Sequence, residues 1–90
     1  MKLENDNNFA IVLDVMEETG ELIKKGKILL AEGSFEQALS HFEQALLLDQ
    51  KNAQIWNLKG AALRSMGRYD EAIDCFNKAL ELDPADKHAS

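Results

Sequence analysis

The sequence predicts an all-α chain: two tandem antiparallel helical hairpins, an α-solenoid arrangement, preceded by one N-terminal helix. Three observations predict it. Apolar residues recur at helical spacing, as at Phe9, Val12, Leu13 and Met16. Helix breakers are few, with five Gly and one Pro in 90 residues. From Lys25 onward the chain also matches itself at an offset of 34 residues, without a gap.

The first helix is expected from Asn8, whose side chain suits an N-cap. The β-branched pair Ile11-Val12 leaves a short strand as the alternative there. Thr19-Gly20 reads as a break. The next helix is expected from Glu21 to Glu32, with Leu22, Leu29 and Leu30, stopping at Gly33. Phe35 to Leu48 carries Leu39, Phe42 and Leu46 and stops near Asp49-Gln50-Lys51-Asn52. Ala53 to Met66 carries Trp56 and Leu63 and stops at Gly67. Tyr69 to Leu82 carries Ile73, Phe76 and Leu80 and stops at Asp83-Pro84. A Gly just past a helix supplies a left-handed residue without steric cost. Proline disfavours helix in the residue before it. Ser34 and Arg68 leave such short connections that consecutive helices must be antiparallel neighbours.

The offset aligns Gly26 with Gly60, Leu29 with Leu63, and Gly33 with Gly67. It also aligns Ala38 with Ala72, Phe42 with Phe76, and Ala45 with Ala79. The second unit reads Trp56-x3-Gly60-x2-Leu63-x3-Gly67-x-Tyr69-x2-Ala72-x3-Phe76-x2-Ala79-x4-Pro84. A helical hairpin repeating at this period with these residues resembles the tetratricopeptide repeat. The resemblance runs from Thr19 to Pro84. The first unit is the weaker match, with Leu22 at the Trp place and Gln50 at the Pro place. Lys59 stands where the family often has Leu. The expected organisation is one domain: 1–18 N-terminal tail and capping helix, 19–52 first repeat, 53–86 second repeat, 87–90 tail.

Mid-helix Gly costs about 1 kcal/mol against Ala. Its recurrence at Gly26 and Gly60 predicts close approach of the partner helix, with Ala38 and Ala72 serving the same packing. Trp56, Phe42 and Phe76 are the expected core fillers.

Composition narrows the function. A formal net charge of −6 suits neither nucleic acid nor an anionic membrane surface. No apolar run approaches the roughly 20 residues of a membrane span. The start, Met1 to Asn8, is too polar for a secretory signal, and Met1 reads as a true N-terminus. The single cysteine, Cys75, has no internal disulfide partner. These features predict a cytoplasmic chain.

Catalytic chemistry finds little support. His41 and Cys75 hold equivalent places in the two units, which raises a Cys–His dyad. Equivalent positions on stacked helices stand roughly 8–10 Å apart, beyond hydrogen-bond reach. His88 lies in the tail, and two His with one Cys give no zinc spacing. The many carboxylates read as a solvated face, with Glu36 and Asp70 placed to favour helix dipoles. Lys24, Lys25 and Lys27 read as snorkelling side chains rather than a nucleic-acid patch. The expectation is no enzyme, no metal and no cofactor.

The resemblance implies a protein or peptide partner. In that family the first helix of each repeat lines a concave groove. Carried over, the groove positions are Ile23, Lys27, Leu30 and Ala31 from the first unit. Gln54, Asn57, Ala61, Arg64 and Ser65 come from the second. Lys27 and Arg64 favour a partner with an acidic group. Ile23, Lys27 and Leu30 also share a helix face apart from Leu22, Gly26 and Leu29. Some members clamp a C-terminal carboxylate with Lys and Asn. Here Ile23, Lys27 and Leu58 depart from that pattern.

Repeat stacks usually need three or more units and polar caps. The stripe Phe9, Val12, Leu13 and Met16 has two expected placements. It caps the outer side of the Glu21–Glu32 helix, or it fills the groove against Ile23 and Leu30. Ala85 to Ser90 is too short for a closing helix, so Ile73, Leu80 and Leu82 are expected partly bare. The primary reading is a monomeric adaptor that binds a peptide or partner helix. The alternatives are a self-associating scaffold, homo-oligomeric or domain-swapped, and a piece of a longer array.

Overall fold

The computed structural model describes residues 2–84, with side chains from residue 10 onward. Four helices occur among these residues: α1 Lys2–Ala31, α2 Phe35–Leu48, α3 Ala53–Ser65 and α4 Tyr69–Leu82. They form two antiparallel hairpins, α1–α2 and α3–α4, with α2 packed on α3 and a lighter contact between α1 and α3. The all-α helical-hairpin architecture is the one the sequence predicts. The last three helices fall within a residue of their expected ends.

The N-terminal part differs. The break expected at Thr19-Gly20 is not there, and α1 is a single helix of 30 residues. Asn8 therefore lies inside a helix and is not its N-cap. The reason is helical phase. Met16, Thr19, Ile23, Gly26 and Leu30 keep one stripe at alternating steps of three and four through the supposed break. The Thr19 hydroxyl donates to the Val15 carbonyl at 2.8 Å, so it bonds within the helix and not to a turn. Gly20 keeps a negative φ, whereas Gly33 and Gly67 adopt φ of 86° and 80°. A continuous α1 cannot fold back over its own C-terminal half. Neither placement foreseen for the Phe9–Met16 stripe holds; the side chain of Phe9 itself lies outside the described ones. Residues 85–90, including His88, also lie outside the described residues.

Both helix stops at glycine share one geometry. Ser34 N–H donates to Leu29 O at 2.9 Å, and Arg68 N–H donates to Leu63 O at 2.9 Å. These bonds satisfy last-turn carbonyls, as the left-handed glycine allows. The α3 start is capped by Asn52. Its Oδ1 accepts from the backbone N–H of Gln54 at 3.0 Å and of Ile55 at 3.3 Å. Its Nδ2 donates to Asp49 Oδ2 at 3.1 Å, which ties the α2–α3 turn together. Asn52→Ala is expected to cost about 0.5–2 kcal/mol, read as a lowered thermal midpoint.

The core runs along α2 and α3. Phe42, Ile55 and Leu63 are its largest fully buried side chains, joined by Ala38, Ala45 and Ala62. The mid-helix glycines do mark close approach, but what approaches is a phenylalanine ring. A Cβ at Gly26 would stand 2.5 Å from Phe42 Cε1, and one at Gly60 would stand 2.6 Å from Phe76 Cε1. Ala38 and Ala72 are buried too. Trp56 is only half-buried at the core's edge, and so is Phe76. Ile73 and Leu80 are exposed on α4, while Leu82 is half-buried.

Candidate partner-binding surfaces

The hairpin order sets α1 and α3 side by side along one face, with α2 and α4 behind them. Residues expected in a groove divide by exposure. On α1, Lys27 and Ala31 are exposed. Ile23 and Leu30 are half-buried and pack against the core cluster, so they stand at the edge of the packing face and not apart from it. On α3, Gln54, Arg64 and Ser65 are exposed, and Asn57 and Ala61 are half-buried. The Arg64 guanidinium lies 5.7 Å from the centre of the Phe76 ring, a cation–π distance. It therefore leans toward α4. Among the expected groove residues the half-buried ones are thus Ile23, Leu30, Ala61 and the polar Asn57, and Lys27 is an exposed cation on α1.

The opposite side holds a cluster that sequence reasoning missed. Lys59 Nζ pairs with Glu43 at 3.6 Å and lies 5.5 Å from the Trp56 ring centre. Trp56 Nε1–H donates to the Gln50 carbonyl at 2.9 Å. Lys59 thus lies beside a half-buried indole and pairs across to α2. Its departure from the usual Leu was the visible signal. The neighbours Glu43, Lys51 and Lys78, scattered in sequence, gave none.

The His41–Cys75 pair does not make a reactive site. Cys75 is buried, and burial pushes its thiol pKa above the usual range. That is the direction away from a thiolate nucleophile. His41 Nδ1 donates to the Gln37 carbonyl at 2.9 Å, within its own helix. At the start of α4, Arg68 grips Glu71 through two hydrogen bonds of 2.8 Å. The bonded guanidinium holds the Glu71 carboxyl below the usual carboxylate range. Both groups are exposed, so this is a surface fork at a helix N-terminus. Among the described residues, no group of three His, Cys, Asp or Glu could hold a metal ion. Among them no helix is long and apolar enough to cross a membrane.

Comparison with known families gives two matches. A tetratricopeptide repeat model matches residues 53–86. A second model, described as TPR repeat, matches residues 26–67. No curated protein matches the chain.

Proposed function

Because the chain belongs to the tetratricopeptide repeat family, whose repeats are generally protein–protein interaction modules, we propose that it is a non-catalytic cytoplasmic adaptor that takes a peptide or partner helix along the α1–α3 face. The observation that carries this reading is the composition of that face. Half-buried Ile23, Leu30 and Ala61 offer apolar surface there beside half-buried Asn57, with Lys27 an exposed cation on α1 and Arg64 an exposed one on α3 near the Phe76 ring. Such a face offers apolar contact, and its cations select an acidic segment. The free, buried Cys75 suits a reducing compartment.

The test is a screen of an immobilised library of short acidic peptides. Lys27→Glu is expected to weaken the best binder roughly tenfold. It leaves helicity unchanged, since Lys27 is exposed. Lys51→Glu, on the other side of the molecule, is expected to leave peptide affinity intact. Equal loss in both variants would show that the peptide answers only to net charge. Loss in Lys51→Glu alone would move the site off this face. Leu30→Glu is a poor probe, because Leu30 also packs on the core.

A further inference from the structure

Among the described residues, two apolar surfaces have no partner, and their charged surroundings are opposite in sign. The first is the forward part of α1. Ile11, Val12 and Met16 are 59%, 52% and 63% exposed although they continue the stripe that packs farther along the helix. With Val15, Ile23 and Leu48 they line an open notch of about 570 Å³. Asp14 and Glu18 follow Ile11 and Val15 by three residues and, with Glu17 and Glu21, line the acidic side of α1 that adjoins the stripe. No basic residue occurs between Lys2 and Lys24.

The second surface is a cavity of about 570 Å³ where α2 ends, α3 begins and α4 ends. Leu46, Leu47, Trp56 and Leu82 supply its apolar wall. Lys51, Lys59 and Lys78 surround it; Lys59 pairs with Glu43 in its lining and Lys78 with Glu81 at 3.9 Å, which leaves one net positive charge among them. Leu47 is 77% exposed. Among the described residues Lys51 makes no ion pair.

The antiparallel order puts both surfaces at the same end of the molecule, separated by the α2–α3 turn. Leu48, Asp49 and Asn52 face the notch, while Leu47, Gln50 and Lys51 face the cavity. An unbroken α1 cannot carry its own stripe around that turn. A second copy can.

We propose that two copies of this chain pair end to end about a two-fold axis, each laying the Ile11–Met16 stripe of α1 into the Leu47–Trp56–Leu82 cavity of the other. Charge complementarity selects this occupant. Asp14 and Glu18 of one copy meet Lys51 and Lys78 of its mate. Because both surfaces sit at one end, the contact is reciprocal and closes at two copies without extending into a fibre. Each copy has a net charge of −6, yet salt screens charges beyond about 8 Å under physiological conditions. Within that range the acidic α1 segment faces a cavity whose lysines outnumber the carboxylates of Glu43 and Glu81.

The test is molar mass by light scattering over a wide range of protein concentration. The chain is expected to move from 10.1 kDa to twice that mass as concentration rises. Asp14→Lys/Glu18→Lys and Lys51→Glu/Lys78→Glu are each expected to raise the dissociation constant at least roughly tenfold. Their helicity should match the parent, because all four side chains are exposed. Mixed in equal amounts, the two variants are expected to regain the dimer. In the mixed pair, a basic stripe meets an acidic cavity on one side, and the native pairing stands on the other. A chain that stays monomeric at every concentration overturns the proposal. So do variants that remain dimeric, or a mixture that does not recover. Ile23 lines the notch as well as the α1–α3 face, but Lys27 lines neither the notch nor the cavity, so the Lys27→Glu peptide test fails or succeeds separately.

Discussion

Phe42→Ala is expected to cost about 3–5 kcal/mol, and Phe76→Ala clearly less. The two rings hold the same place in the two repeats, and each lies against a glycine. Their surroundings differ. Phe42 is fully buried, its ring against Gly26 of α1, on a helix that packs on both α1 and α3. Phe76 is half-buried on α4, the last helix described. Removing Phe42 therefore leaves a closed cavity, while the space left by Phe76 stays open to water. A domain of this kind has about 5–15 kcal/mol of stability in total. The Phe42 variant should thus lose a large share of its cooperative transition. Urea unfolding at constant slope checks the difference, because a shift of midpoint alone reports stability. Equal costs at the two positions would mean that Phe76 is covered in solution.

Gly26→Val is expected to reach or exceed the upper end of the roughly 1–3 kcal/mol typical of overpacking. A Cβ there stands 2.5 Å from Cε1 of a ring with no exposed side to move toward. Gly60→Val meets a similar distance, 2.6 Å, but the half-buried Phe76 can swing outward. Its cost is expected to be smaller. Gly20→Ala supplies the control. Nothing lies within 4 Å of the added carbon, so it should stabilise by about 0.5–1 kcal/mol through helix propensity. Thermal unfolding of the three variants should rank Gly20→Ala above the parent and Gly26→Val lowest.

The contrast among glycines also explains what the sequence reveals. Gly33 and Gly67 each end an apolar phase, and a new phase begins after them; both take the left-handed conformation. Gly20 sits inside a phase that continues from Met16 through Ile23, so a glycine alone was no stop there. Periodicity across the residue was the better guide. The repeat itself was legible because Gly26 and Phe42 recur together at Gly60 and Phe76, which reflects one packing solution used twice.

The partner surfaces were less legible. Spacing put Lys27 and Arg64 on the first helix of each repeat, yet it did not show that Ile23 and Leu30 also pack on the core. The Lys59–Glu43 pair joins α3 to α2, and the cavity beside it brings together Leu47, Lys51 and Lys78 from separate turns and helices. Such contacts follow from how hairpins stack, and no local pattern marks them. The Asn52 cap was readable in principle, as an Asn just before an apolar helix start.

The most direct test of the central claim is amide chemical-shift mapping with the tightest peptide from the acidic library. Binding along the α1–α3 face predicts the largest changes at Lys27, Asn57, Ala61 and Ser65, with Leu47 and Lys78 unmoved. Changes concentrated around Leu47, Trp56 and Lys78 would contradict it and assign partner recognition to the opposite side of the repeat.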